Sequence, residues 1–201
     1  MKEGKIMKEK TLWLVRTAML LALCVAFQSL RLLIGDTIIS VLIIGSLVNL
    51  VLYVSVKSGG IYSGLAVSIL SPIIAFLQGH IAFPQMILVV VLGNATLVLL
   101  YWLITKKRGF TFNIIAIVTA SIAKFIVLWF AVSKFIIPIL TNITEIQNKA
   151  QALNKPVSAI VKGLTATLNL NFTWPQIVTA LIGGGLSVVV VMALRKAKLI
   201  K

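Results

Sequence analysis

Acidic side chains are almost missing from this chain: its 201 residues include only Glu3, Glu9, Asp36 and Glu145. Histidine and cysteine occur once each, as His80 and Cys24. These shortages leave no carboxylate pair for acid–base work and no cluster of metal ligands, so the chain does not read as an enzyme and implies no cofactor of its own. A lone cysteine forms no intrachain disulfide, and Cys24 lies inside an apolar run, so it carries no information about redox compartment. The phosphate-binding pattern G-x-x-x-x-G-K-[ST] is also missing. The run Gly183, Gly184, Gly185 sits in an apolar stretch instead. Any ATP hydrolysis therefore falls to another subunit. The basic N-terminus is followed by an apolar run but by no A-x-A cleavage site with a polar mature sequence behind it, and that run is read as a retained helix.

What the chain has in abundance is apolar sequence, 60% of residues against 11% charged, gathered in long uninterrupted blocks. Such blocks are membrane composition. Roughly 20 apolar residues cross a hydrocarbon core of about 30 Å. The blocks predict an all-α integral membrane protein with six transmembrane helices in one domain, residues 1–201, and no separate globular part. The spans fall at about 12–34, 37–56, 59–77, 83–105, 111–137 and 174–194. No Asp, Glu, Lys or Arg occurs from Ser58 to Thr105, and Gln78, Gly79, His80 and Pro84 divide that stretch in two. Pro138 is expected to end the fifth span, and a long outer segment, Thr141 to Thr173, to carry two short amphipathic helices, Glu145 to Leu153 and Val157 to Leu168.

A formal charge of +15 would suggest nucleic acid in a soluble protein, but here the basic residues lie mostly between apolar blocks and act as topology signals. With the N-terminus inside, the cytoplasmic side receives 13 of the 19 Lys and Arg residues, from Lys2 and Arg16 through Lys57 and Lys106 to Lys201. That bias predicts both ends in the cytoplasm and no nucleic-acid partner.

Polar residues at membrane depth are expensive, which makes them functional candidates. Lys124 stands roughly 18 Å along its helix from Phe112, too deep to snorkel inward. No acid occurs inside any span, so Lys124 either faces water, has a ligand as its partner, or snorkels outward as a positioning residue. Asn94 and Asn49 lie near mid-depth, where a carboxamide serves as helix–helix glue or as a ligand contact. His80, with Gln85 nearby, reads as a rim residue or a solvated loop residue. Arg31 has Asp36 close in sequence as a salt-bridge partner, with anion binding the other reading. Trp129 is placed to stack on a ring, although interfacial belts also supply tryptophans. On the first span Ala18, Ala22 and Ala26 recur at every fourth residue, a small-residue stripe along which another helix approaches closely.

The segment Gly60-Ile-Tyr-Ser-Gly-Leu-Ala-Val-Ser-Ile-Leu-Ser-Pro72, followed by Phe83-Pro84-Gln85 and Leu92-Gly93-Asn94, together with the alanine stripe, resembles the substrate-binding S components of energy-coupling factor (ECF) transporters, in the folate, pantothenate and riboflavin-type branch. The resemblance covers nearly the whole chain. It implies a membrane subunit of a prokaryotic plasma membrane that captures a water-soluble vitamin on the outer side. It further implies docking of Ala18, Ala22 and Ala26 on a transmembrane coupling subunit driven by two ATPases. The implied pocket lies among the outer halves of helices four to six, which brings Lys124, Asn94, Trp129, His80, Arg31 and Gln85 forward as substrate-binding residues. The unpaired Lys124 suggests an anionic vitamin such as pantothenate, with folate or another B vitamin as alternatives. An autonomous secondary carrier or channel, and an assembly protein without a ligand, are the competing classes. Internal inverted repeats and membrane-embedded acids, which would mark a carrier, are not evident.

Overall fold

The computed structural model describes residues 2–81, 83–107, 109–140, 144–172 and 174–200, giving the backbone alone at 2–6, 8, 140, 144, 145, 149, 169 and 170. Among these residues the chain is helical throughout, with short turns and no strand. In order the helices are α1 (Lys2–Ser29), α2 (Arg31–Ile34), α3 (Ile38–Leu77), α4 (Gln85–Thr105), α5 (Phe110–Ala131), a π-helical turn (Val132–Ile136), α6 (Ile137–Leu140), α7 (Thr144–Ala152), α8 (Val157–Phe172) and α9 (Trp174–Lys196).

Five stretches among the described residues are helical, long and apolar enough to cross a bilayer: Glu9–Ile34, Ile38–Leu77, Gln85–Thr105, Phe110–Ile139 and Trp174–Lys196. The count differs from the six separate spans expected because no polar loop parts the second from the third. Both fall within α3, which has 40 residues. A straight helix of that length would reach about 60 Å, twice the hydrocarbon thickness. It is not straight. Gly60 leaves helical geometry at φ 76° and ψ −169°, a conformation that costs a residue without Cβ little. There the chain folds back on itself, since Val56 and Gly64 face one another across the bend and Ser40 and Ala75 line one cavity. The two arms, 38–59 and 61–77, are roughly 33 Å and 26 Å long at 1.5 Å per residue.

The bend strands carbonyls that the helix would otherwise have used, and α1 supplies their donors. Trp13 Nε1 donates to the Gly59 carbonyl at 2.9 Å, and Arg16 Nη1 donates to that of Ser58 at 3.5 Å. At its other end, α3 starts with a reciprocal cap: Thr37 Oγ1 accepts from the Ser40 N–H and Ser40 Oγ from the Thr37 N–H, each at 3.1 Å.

The arms of α3 form the centre of the bundle, with α1, α4 and α9 packed around them and α5 between α4 and α9. Contact is closest where α9 crosses the first arm. A Cβ on Gly183 would come within 2.5 Å of the Ser46 carbonyl oxygen, so only glycine permits this approach. In the core the Tyr53 and Tyr101 rings meet edge to face at 4.7 Å, and their hydroxyls are satisfied by Ser121 and Asn113. A second apolar cluster of Met86, Val89, Leu128, Val132, Ile136, Ile146, Val161 and Leu168 fastens the amphipathic α7 and α8 to α4 and α5. Outward, Leu14, Met19, Leu88 and Val189 are exposed, as side chains facing hydrocarbon are.

Pro138 does not stop the fifth span as expected. The helix continues to Leu140, because the π-helical turn Val132–Ile136 immediately before it alters the bonding register where a proline offers no N–H. The short helices expected at Glu145 to Leu153 and Val157 to Leu168 are found as α7 and α8.

Candidate functional site

Helical spacing decides where Lys124 points. The buried residues of α5 are Ala116, Ile117, Ala120, Ser121, Lys124, Leu128 and Ala131, a stripe with three- and four-residue steps. Lys124 lies in the middle of that stripe, 4% exposed, so it faces the bundle and not lipid. Its Nζ donates to Asn49 Oδ1 at 2.7 Å and to Asn94 Oδ1 at 2.9 Å. An ammonium has no lone pair, so both amides must present oxygen to it. Asn49 is held in turn by donating Nδ2 to Thr179 Oγ1 at 3.2 Å, and the Thr179 hydroxyl donates to the Gln176 carbonyl at 3.3 Å. Three helices and α9 thus fix one cation.

An ammonium carries three donors, and the two asparagines occupy two of them. Neutral oxygens solvate the charge without cancelling it. Asp36 is paired with Arg31. The Glu145 side chain lies outside the described residues. The third donor of Lys124 meets no acceptor among the described residues, and Lys124 lines a cavity of about 190 Å³.

That cavity has α1, both arms of α3, α4, α5 and the α8–α9 junction as its walls. Gln28 and Arg31 come from the first helices, Ser40, Ile44, Val48 and Asn49 from the first arm, and Ser71, Pro72 and Ala75 from the second. His80 and Ile81 follow the second arm, Val90 and Asn94 stand on α4, and Asn171, Phe172 and Gln176 close the remaining side. At the mouth, Arg31 bridges two turns: its Nε pairs with Asp36 and its Nη1 donates to the His80 carbonyl at 3.5 Å. Burial first, then the neighbouring Arg31 guanidinium, holds the His80 imidazole below its ordinary 6.5, and Asp36 opposes them.

Of the residues singled out from the sequence, Lys124, Asn94, His80 and Arg31 line this cavity. Trp129 and Gln85 do not: Trp129 is 47% exposed and Gln85 lies at the exposed start of α4. The reason is rotational. Trp129 follows Lys124 by five residues, which turns it about 140° around the axis, and Gln85 precedes Asn94 by nine, about 180° away. Ala18, Ala22 and Ala26 are all exposed, on the side of α1 away from its buried Thr17, Cys24 and Gln28.

Sequence reading passed over Gln28, Ser71, Asn171 and Gln176. A signal was present for the first, since Thr17 and Gln28 are eleven residues apart and fall within about 20° of each other on the helix. Gln28 Nε2 donates to the Ser71 carbonyl at 3.2 Å. Its Oε1 and the His80 Nε2 are buried without a hydrogen-bond partner among the described residues, and the Ser71 Oγ has none beyond the weak Cys24 thiol.

Compared with known proteins, residues 13–195 match the family model described as ECF transporter, substrate-specific component. No curated protein and no solved structure matches the chain.

Proposed function

Because the chain belongs to the substrate-specific components of ECF transporters, we propose that it captures a water-soluble vitamin with an anionic group, such as pantothenate, in the Lys124 cavity. As a member of that family it is a multi-pass, substrate-binding transport subunit and not an enzyme, and the family works with coupling and ATPase subunits. The vitamin reading rests on one observation above the others: a buried lysine, held by two carboxamide oxygens, with its third donor unmatched beside a cavity. An anion at that point neutralises the charge and makes a charge-assisted hydrogen bond.

In this reading each arm of α3 crosses the membrane once, which brings the crossings to six with both ends in the cytoplasm. The lysine and arginine bias supports that orientation. The mouth at Arg31 and His80 then opens outward, away from Lys57 and Lys106. The exposed alanines of α1 offer the coupling subunit a flat track, and two ATPases drive release to the inside. Site residues under this proposal are Lys124, Asn94, His80 and Arg31.

Calorimetric titration of the purified protein with a panel of B vitamins, without ATP, tests the proposal. Submicromolar binding of one vitamin is the expected result. A folded, monodisperse protein that binds none of them refutes it. Uptake into liposomes holding this chain alone would instead favour an autonomous carrier.

A further inference from the structure

The cavity is lined by two chemically different sets of groups, and together they specify more of the occupant than its charge. In the first stands Lys124, a cation with one unused donor. Asn94 beside it spends its oxygen on that lysine, and its amide nitrogen donates to no partner among the described residues. These groups offer donors. In the second set, Gln28 is 7% exposed and its Oε1 has no partner among the described residues, and the fully buried Ser71 Oγ has none beyond the weak Cys24 thiol. The Gln28 amide nitrogen is already engaged by the Ser71 carbonyl, which turns its oxygen away as a free acceptor. His80 Nε2 is likewise buried and unmatched. Leaving such groups without partners is costly, so a matching occupant recovers several of these penalties at once.

Size and charge narrow the class further. A cavity near 190 Å³, against the roughly 150 Å³ that encloses the six carbons of benzene, holds about eight non-hydrogen atoms, so a ligand about twice that size extends through the mouth at Arg31 and His80. A pterin joined to an aminobenzoyl glutamate is far larger. The anion must also be weakly charged. Among the described residues Lys124 is the one cation in the inner cavity, while Arg31 at the mouth is committed to Asp36. A phosphate dianion would leave charge uncompensated, whereas a carboxylate matches one ammonium.

We infer that the occupant is a small hydroxy- or amido-carboxylic acid, bound with its carboxylate at Lys124 and Asn94 and with hydroxyl or amide N–H donors at Gln28 and Ser71. This rests on the vitamin-capture reading and assigns α1 and the second arm of α3 the task of reading the uncharged end. Gln28 and Ser71 are then specificity residues, and the Arg31–Asp36 pair stands at the mouth without touching the carboxylate.

The test compares acids with their own alcohols. Pantothenate and pantothenol share every hydroxyl and amide donor and differ only in the carboxylate, as biotin and biotinol share the ureido donors. Titrated into the purified protein in nanodiscs beside folate and riboflavin, one of the two acids is expected to bind at least tenfold more tightly than its alcohol. Lys124→Met should bring acid and alcohol within about twofold of each other. Gln28→Leu should weaken both by tenfold or more and leave their ratio unchanged while its unfolding midpoint stays near that of the wild type, whereas a merely loosened fold would lower that midpoint as well. Ser71→Ala, a smaller change on a second helix, should weaken both in the same proportion to each other, and it keeps the test valid where Gln28→Leu fails to fold. Equal binding of acid and alcohol by the wild-type protein overturns the inference, as does undiminished affinity in both the Gln28 and Ser71 variants. Tight binding of folate or riboflavin with none of the small acids overturns it too, but leaves vitamin capture standing. Binding of nothing in the panel by folded protein removes both.

Discussion

One end of this bundle and its interior both hold cations, and they hold them in opposite ways. At the end marked by the α3 bend, Arg16 Nη2 donates to the Leu199 carbonyl at 2.6 Å, and Lys57 lies 5.2 Å from the centre of the Tyr101 ring. Lys106 sits 3.7 Å over Trp102, and Lys107 lies 5.6 Å from the Phe112 ring. Each of these keeps contact with solvent, and main-chain oxygens or aromatic faces answer its charge. Nothing further is needed there. In the interior Lys124 is enclosed, and two neutral amides orient it without neutralising it. A lysine count cannot separate the two roles. What separates them is whether the protein completes the cation's partners or stops one short beside a cavity.

Exchanging the two kinds of lysine gives the strongest test of this contrast. Lys124→Met should reduce vitamin affinity by tenfold to a hundredfold, the range expected when a charge-assisted bond of about 1.5–3 kcal/mol is lost. Lys57→Met and Lys106→Met, measured in the same titration, should change it less than twofold. Similar losses from all three would erase the distinction. Next in size, Asn94→Leu removes one of the oxygens that hold the ammonium, and it should cost about 1–3 kcal/mol of stability through the orphaned donor. Chemical unfolding in mixed micelles would measure that loss, and an unchanged midpoint would show that the amides do not anchor the lysine. Gly183→Ala should destabilise by a similar 1–3 kcal/mol through overpacking against the first arm of α3, read from the same unfolding curve. Lys106→Met should cost the folded state no more than about 1 kcal/mol, the scale of an exposed cation–π contact.

The smallest effect concerns pH. His80 titrates below 6.5 in the folded protein, so the unfolded chain takes up the proton first as the medium is acidified. Its contribution to stability is present above pH 6.5, declines as pH falls through the window between the unfolded and folded values, and is then spent. Arg31, by favouring the neutral ring, deepens the shift, and Asp36 reduces it. The difference in thermal midpoint between pH 7.5 and 5.5 should therefore shrink in His80→Gln. An equal difference in both proteins would remove His80 from this account.

The membrane helices were legible in the sequence because length and apolarity alone determine them. The partition of α3 was only partly so. Lys57, Ser58 and Gly59 mark a boundary in the sequence, but a reversal made at the single residue Gly60 leaves no polar loop to read. Lys124 was legible because nothing in the sequence pays for its charge. Its relation to Asn49 and Asn94 was not, since it depends on three helices meeting at one depth. Trp129 and Gln85 share helices with Lys124 and Asn94 but not a face of them, since five residues turn a side chain about 140° and nine turn it about 180°. Gln28 and Ser71 stayed hidden because an uncharged side chain in an apolar run attracts notice only once its neighbours are known.

The bend at Gly60 gives the pocket a mechanical character. Asn49 and Ser71 both line the pocket and belong to two arms joined at Gly60, so the pair has the geometry of tweezers whose pivot lies away from the load. Ala75 stands about 23 Å beyond the pivot at 1.5 Å per residue. By that leverage, about 5° of rotation at Gly60 moves the second wall by about 2 Å, enough to open or close space for a carbon chain. Trp13 and Arg16 grip the pivot from α1, the helix that also carries the exposed alanines. That helix therefore touches the two arms at two places, the pivot through Trp13 and Arg16 and the second wall through Gln28, which donates to the Ser71 carbonyl.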